Sequence, residues 1–272
     1  MSVKSLAAAR LVERKQYRLG TATLGARNLA EESAIAFTYN RVAHAVMMAT
    51  PADLEDFAVG FSLAERIIDA PADITGLEIV TVDQGIELRM DVSREHAESL
   101  DARRRHVAGP SGCGLCGLES LEQAMRAAPR VTAALTVTPA MIALAIAALP
   151  QSQPINQLTR AVHAAAFWQP QAGLVALRED VGRHNALDKL AGALARAGIP
   201  GSQGMVLLTS RVSIELVQKA ALMGTPIVVA VSAPTALAVR VAAAAGITLV
   251  GVARDDGFEI FTHAGRVAAE AG

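Results

Sequence analysis

Cysteine is nearly absent from this 272-residue chain: Cys113 and Cys116 are the two it has. Two cysteines cannot form a disulfide framework, and without a third or fourth a four-thiolate zinc site cannot be built within one subunit. The histidines His44, His96, His106, His163, His184 and His263 offer no compact H-x-x-x-H pair, so no structural metal is expected. An excess of charge of one sign is missing too. With 25 basic and 26 acidic residues the net charge is −1, which excludes the global basic field that drives nucleic-acid binding. Lys4, Arg10, Arg14, Lys15 and Arg18 interrupt the first eighteen residues, leaving no apolar centre for a signal peptide, and a cytoplasmic protein is expected. The one uncharged span of membrane length, Ala220 to Val239, is broken by Gly224, Pro226 and Pro234. They cut it into a helix end, the β-branched run Ile227 to Val231 and a fresh helix start, so a buried parallel strand is expected there and no membrane crossing.

What is present begins with Ser111-Gly112-Cys113-Gly114-Leu115-Cys116-Gly117. Glycine on both sides of Cys113 and after Cys116 removes steric cover and presents the sulfurs to a reactant, a setting that a buried packing cysteine does not need. A thioredoxin-like dithiol opens the first helix of a small domain, directly after a strand, whereas here about a hundred residues and a basic, polar stretch precede the motif. A thiolate nucleophile or a persulfide carrier, with the second sulfur as helper, is what remains. Leu118, Leu121 and Met125 predict a helix after the loop, placing Cys116 near a helix N-terminus, where the dipole favours a thiolate. Upstream, Arg103-Arg104-Arg105-His106 is either solvated surface charge or a cationic neighbour that favours a thiolate or draws an anion.

The length suits one large domain or two smaller ones. Residues 1–130 read as a smaller α+β part ending in the cysteine loop and its helix, and residues 131–272 as a β-α-β part. In the first, segments around 33–37 and 45–48 are extended with a turn at Asn40-Arg41, Thr50-Pro51-Ala52-Asp53 opens a helix that Pro71 ends, and 77–82 with 86–90 form a hairpin. Thr138-Pro139 starts another helix, and Pro150 to Pro154 is the best linker candidate. Thereafter apolar runs at 174–177, 205–209, 227–231 and 247–252 alternate with helices at 184–197, 213–223 and 235–245, closed by Gly198, Gly224 and Gly246. The fold class is therefore α/β, a mostly parallel sheet covered by helices.

Function in such sheets gathers at the strand C-terminal ends. Those ends carry Arg178 to Asn185, Ser210 to Ser213, Ser232 to Thr235 and Arg254 to Gly257. The turns at Ser210 and Ser232 serve as helix caps or as anion sites, and Arg211 favours phosphate at the first. Asp180, Arg183, His184, Asn185, Asp188 and Lys189 form either a self-satisfied ion-pair network or a ligand or catalytic site.

Three of these pieces together, Cys113-Gly114-Leu115-Cys116-Gly117, the run R-E-D-V-G-R-H-N-A-L-D-K from Arg178 to Lys189, and Ser232-Ala233-Pro234-Thr235-Ala236-Leu237-Ala238-Val239, resemble the formate dehydrogenase accessory sulfurtransferase family, FdhD. Thr50 to Glu55, Gly60-Phe61 and Ser213 to Ala220 support the resemblance, which runs from about Ala36 to Gly265. It implies a protein that takes persulfide sulfur from a cysteine desulfurase and passes it to a molybdenum or tungsten bis-pterin guanine dinucleotide cofactor destined for formate dehydrogenase. Cys113 would carry the persulfide and Cys116 would assist. The guanine end of the cofactor, bound as substrate, would lie at Val252, Ala253, Arg254, Asp255, Asp256 and Gly257, with Arg211 and Ser232 beside it, and guanosine diphosphate would mimic part of it. A cytidine-deaminase-like core and a homodimer are also implied. Deamination itself is excluded by the residues: His163-Ala164-Ala165 has alanine where the proton-shuttling glutamate belongs, and no cysteine pair follows. This chain has Arg160-Ala161, Ser210, Arg66 and Arg41 where the family pattern has glycine, which threatens the ligand site more than the fold. A cofactor-binding chaperone without sulfur transfer and a redox-regulated binding module are the competing functions.

Overall fold

The computed structural model describes residues 7–107 and 126–268, with backbone alone for 101–107. Its chain opens with a ribbon of two strands, β1 (Ala9–Arg18) and β2 (Thr21–Ala30), that pair only with each other. Next come β3 (Ser33–Tyr39), β4 (Val42–Ala49), helix α1 (Leu54–Ala64), β5 (Ile74–Val82), β6 (Gly85–Val92) and helix α2 (Arg94–Val107). The four strands form a sheet in the order β4-β3-β6-β5. Asn40 and Arg41, both at positive φ (46° and 68°), make the two-residue turn between β3 and β4, the handedness that a tight hairpin requires. Alternate residues Ile35, Phe37 and Tyr39 of β3 and Ile86, Leu88 and Met90 of β6 point to one face, where α1 packs. Phe37 stacks on Phe61 at 4.0 Å and meets Phe57 edge-on at 5.0 Å, the two geometries that aromatic pairs prefer.

The second half holds α3 (Pro139–Ala148), α4 (Pro154–Thr159), β7 (His163–Gln169), β8 (Gly173–Asp180), α5 (Arg183–Arg196), β9 (Met205–Leu208), α6 (Ile214–Leu222), β10 (Ile227–Ala230), α7 (Ala236–Ala245), β11 (Thr248–Arg254) and β12 (Gly257–Ile260). Its six strands are ordered β12-β11-β10-β9-β7-β8. The centre, β9, β10 and β11, is parallel; β12 and β7 run against it, and β8, antiparallel to β7, shares the central direction. Period-two alternation splits the buried strands between two layers. Val206, Leu208, Val228, Ala230 and Leu249 face α5, α6 and α7; Met205, Leu207, Ile227, Val229 and Val250 face α3. Gly198, Gly224 and Gly246 all adopt positive φ at helix ends, as their positions predict.

Several elements differ from expectation. The first helix begins at Leu54 rather than at Pro51, because both backbone groups and the hydroxyl of Thr50 are spent on the distant Asp180, Val181 and Lys189. The Pro150–Pro154 stretch is a 3-10 turn leading into α4, whose first amides, Ile155 and Asn156, are each bound at 2.8 Å by the Glu179 carboxylate. Strands β1, β2, β7 and β12 are additional to those read from the sequence.

The two larger sheets meet through α1 and α5. A Cβ at Gly60 would stand 1.7 Å from the Asp188 carbonyl oxygen, and one at Gly192 would stand 1.9 Å from that of Asp56, so only glycine lets these backbones approach. Charge reinforces the joint. The buried Asp56 carboxylate takes Arg178 at 2.7 Å and Arg196 at 2.5 Å.

Candidate functional site

Strands β8 to β11 end, and β7 begins, on one edge of the six-stranded sheet. The polar run after β8 divides there into spent and unspent groups. Asp180 and Lys189, both fully buried, pair at 2.6 Å. Asp180 also accepts from Thr50 N (3.0 Å), Gly182 N (2.8 Å) and Asn185 Nδ2 (3.0 Å), while Lys189 donates to Thr50 O at 2.8 Å. Asn185 reaches on to Met48 O at 2.9 Å. Burial lowers the Lys189 pKa, and the adjacent Asp180 charge opposes that shift. One turn away, burial pushes Asp188 up to about 6, against the ammonium of Lys219 at 2.5 Å. These residues satisfy one another and tie the Thr50 loop to the sheet edge, so for them the reading as a structural network holds.

Arg183 and His184 do not belong to it. The Arg183 Nε is buried without a hydrogen-bond partner, and its guanidinium makes no ion pair among the described residues. His184 sits with Nε2 3.4 Å from Ser213 Oγ and 3.7 Å from Glu215. Burial, aided by the charges of Lys219 and Arg183, pushes this imidazole down to about 4. His163, at the start of β7, is lowered by burial and then by Arg183. The Arg183 charge thus acts on His163, His184 and the Glu215 carboxylate, and Ser213, which leads α6 without capping it, lies against His184. A guanidinium so placed has the chemistry to pair with an anionic group, and the Glu215 carboxylate is the competing negative charge beside it.

Three strand-end loops close around the same edge. Val212 bridges to Pro234, and Thr235 N donates to Val212 O at 2.9 Å. Val252 N donates to Ser232 O at 3.2 Å. Arg211 is exposed in the first loop and Ser232 half-buried in the second, whereas Thr235 Oγ1 is consumed by capping Ala238 N. Val252 adopts φ 52°, a left-handed backbone that a β-branched residue rarely takes and that locates strain at the candidate ligand edge. Strand β11 does not stop at Val252. It continues through buried Ala253 to exposed Arg254, so Asp255 and Asp256 form the turn of a hairpin with β12, and Gly257 begins the return strand. Arg211, Ser232 and Val252 are thus brought together, with Arg254, Asp255, Asp256 and Gly257 on a projecting tip.

Cys113 and Cys116, with the helix expected after them, lie outside the described residues. Of the arginines at family glycine positions, Arg41, Arg66 and Arg160 all take positive φ (68°, 54° and 58°), so each keeps a glycine-like backbone. A cavity of about 460 Å³ lined by Leu63, Leu194, Lys219 and Leu222 lies instead toward the helix C-termini.

Comparison with known proteins gives the family. The model of the FdhD/NarQ family matches residues 30–268. The chain belongs to this family. A similar protein from Agrobacterium fabrum is 52% identical over 259 residues, covering 95% of this chain and 96% of the relative, and is named sulfur carrier protein FdhD. Relatives of the same name from Brucella abortus and Xanthomonas campestris are 49% and 48% identical, over 89% and 93% of this chain and 90% of each relative. The crystal structure of a protein described as a formate dehydrogenase accessory protein from Desulfotalea psychrophila superposes with a TM-score of 0.75 at 24% identity, covering 96% of this chain and all of that one, and so shares the fold. The role of Thr50 and the absence of a partner for Arg183 Nε among the described residues were missed by sequence reading. The density of polar residues after β8 was a signal, but only tertiary contacts reveal which of them are spent.

Proposed function

We propose that this chain is a sulfur carrier in the maturation of formate dehydrogenase. What carries the reading is membership of a family whose close relatives are named sulfur carriers, in a chain whose only two cysteines share one glycine-rich stretch of sequence. The Cys113 thiolate attacks the terminal sulfur of a desulfurase persulfide, forming Cys113–S–SH and releasing the desulfurase thiolate. Cys116 assists: as a thiolate it can attack the inner sulfur of that persulfide, expelling hydrosulfide and leaving a Cys113–Cys116 disulfide, which a cellular dithiol then reduces. The acceptor substrate is the molybdenum or tungsten bis-pterin guanine dinucleotide cofactor. Its phosphates suit Arg183, with Arg211 at the neighbouring loop, and its guanine end suits the loop from Val252 to Gly257.

Intact mass after incubation with a cysteine desulfurase and cysteine tests the first step. One added sulfur atom, lost on reduction and absent from folded Cys113→Ala, is expected. An unmodified wild-type mass would favour a cofactor chaperone instead, and full dehydrogenase maturation by Cys113→Ala would overturn the role given to that residue.

A further inference from the structure

The N-termini of α5 and α6 adjoin at the strand-end edge. His184, in the first turn of α5, has Nε2 3.4 Å from Ser213 Oγ at the head of α6 and 3.7 Å from the Glu215 carboxylate in its first turn. Both helix starts favour negative charge. They are unequally supplied with it. The first turn of α5 holds no acidic residue and opens on Arg183, whose buried Nε has no hydrogen-bond partner among the described residues. The first turn of α6 holds Glu215. Asp180, the carboxylate that precedes α5, is spent on Lys189 at 2.6 Å. Glu215 therefore serves both helix starts. Burial opposes its ionisation, but hydrogen bonds from the Ser213 hydroxyl and its own amide, with the charges of His184 and Arg183, hold it below the usual carboxylate range.

We propose that Glu215 is the specificity filter of this anion site: it holds the position where a diphosphate binds, gives way to that group and keeps out monoanions such as carboxylates. The inference rests on the cofactor reading above, which brings phosphates to Arg183. The exchange of charge decides between ligands. A monoanion that displaces Glu215 replaces one negative charge by another and gains Arg183 Nε alone. A diphosphate brings more negative charge and several acceptor oxygens, enough for the Ser213 hydroxyl, the amide that Glu215 releases and Arg183 Nε together. His184, pushed down to about 4, is neutral at pH 7, and with its proton on Nε2 it donates to whichever anion is present. The displaced carboxylate has somewhere to go. Its side chain is 39% exposed, so it swings into water without crossing the core.

Calorimetry with inorganic pyrophosphate, free of divalent cations, on the full wild-type chain, Glu215→Gln and Glu215→Ala tests the proposal. Removing a like charge from beside the ligand should tighten pyrophosphate about tenfold in both variants. Acetate, at an ionic strength matched with chloride, should leave wild-type binding unchanged and compete in Glu215→Ala, where it takes the place of the missing carboxylate. Equal pyrophosphate affinity in all three proteins would overturn the filter, as would acetate competition that is the same with and without Glu215. Weaker binding in Glu215→Gln would also overturn it and make Glu215 a support of the site. Arg183→Gln keeps the two readings apart. Pyrophosphate binding that is lost in Arg183→Gln yet indifferent to Glu215 would leave the cofactor reading standing and remove the filter alone. No binding to wild type or to either Glu215 variant would remove the filter and the anion site together, while persulfide formation on Cys113 is measured separately.

Discussion

Gly192→Ala is expected to open the joint between the two larger sheets. The new Cβ would lie 1.9 Å from the Asp56 carbonyl oxygen and 2.8 Å from the Gly60 amide nitrogen, both backbone atoms that no rotamer change can move. Restoring an ordinary 3.4 Å contact requires α1 and α5 to separate by about 1.5 Å. Across that joint run Arg178 to Asp56 at 2.7 Å, Thr50 N to Asp180 at 3.0 Å and Lys189 to Thr50 O at 2.8 Å, and such a shift carries them beyond hydrogen-bonding reach. Overpacking costs about 1–3 kcal/mol, and each buried polar group left without a partner adds about 1–3 kcal/mol. A loss of about 3–5 kcal/mol corresponds to a melting temperature roughly 10 °C lower for a chain of this size. Differential scanning calorimetry measures it, with Gly198→Ala as the control. Gly198, unlike Gly192, has positive φ, but its Cβ would meet nothing within 4 Å, so its substitution costs about 1 kcal/mol of backbone strain alone. Equal melting temperatures for the two variants would refute the close-approach argument.

Two buried groups oppose each other in their pH dependence. Asp188, raised from 3.8 to about 6, contributes stability below pH 4 that is lost as pH rises through 6; His184, lowered from 6.5 to about 4, contributes stability above pH 6.5 that is lost as pH falls through 4. Comparing His184→Gln with His184→Gln/Asp188→Asn isolates Asp188: the urea midpoint of the first should fall relative to that of the second as pH is raised from 4 to 6, and a flat or rising difference would count against the assignment. Arg160→Gly relieves a left-handed residue at the C-terminus of α4 and should raise the melting temperature by a few degrees, about 1 kcal/mol; a decrease would show that the arginine side chain holds the turn. Guanosine diphosphate should bind more tightly than adenosine diphosphate by calorimetry, and Arg183→Gln should weaken it about tenfold or more. Equal affinity for the two nucleotides, or binding indifferent to Arg183, would remove the anion site from the proposed cofactor path.

Local chemistry made the β-α-β run legible. Gly198, Gly224 and Gly246 end their helices, and the apolar stretches at 205–208 and 227–230 are buried strands, because these signals depend on neighbours within a turn or two. The glycine-framed cysteines point to sulfur chemistry from the sequence alone, and they lie outside the described residues. Strand β7 escaped notice because Ala164-Ala165-Ala166 carries little β propensity and becomes a strand by pairing with β8 and β9. The β1–β2 ribbon escaped because its arginines interrupt any apolar pattern. At the site, residue identities proposed two roles for the polar run from Asp180 to Lys189. Tertiary structure separated them, since Thr50 arrives from 130 residues away to satisfy Asp180 and Lys189, while no partner reaches Arg183 Nε among the described residues. Whether a polar side chain is spent on the fold or left for a ligand depends on what lies across the interface, and that distance is not written in sequence order.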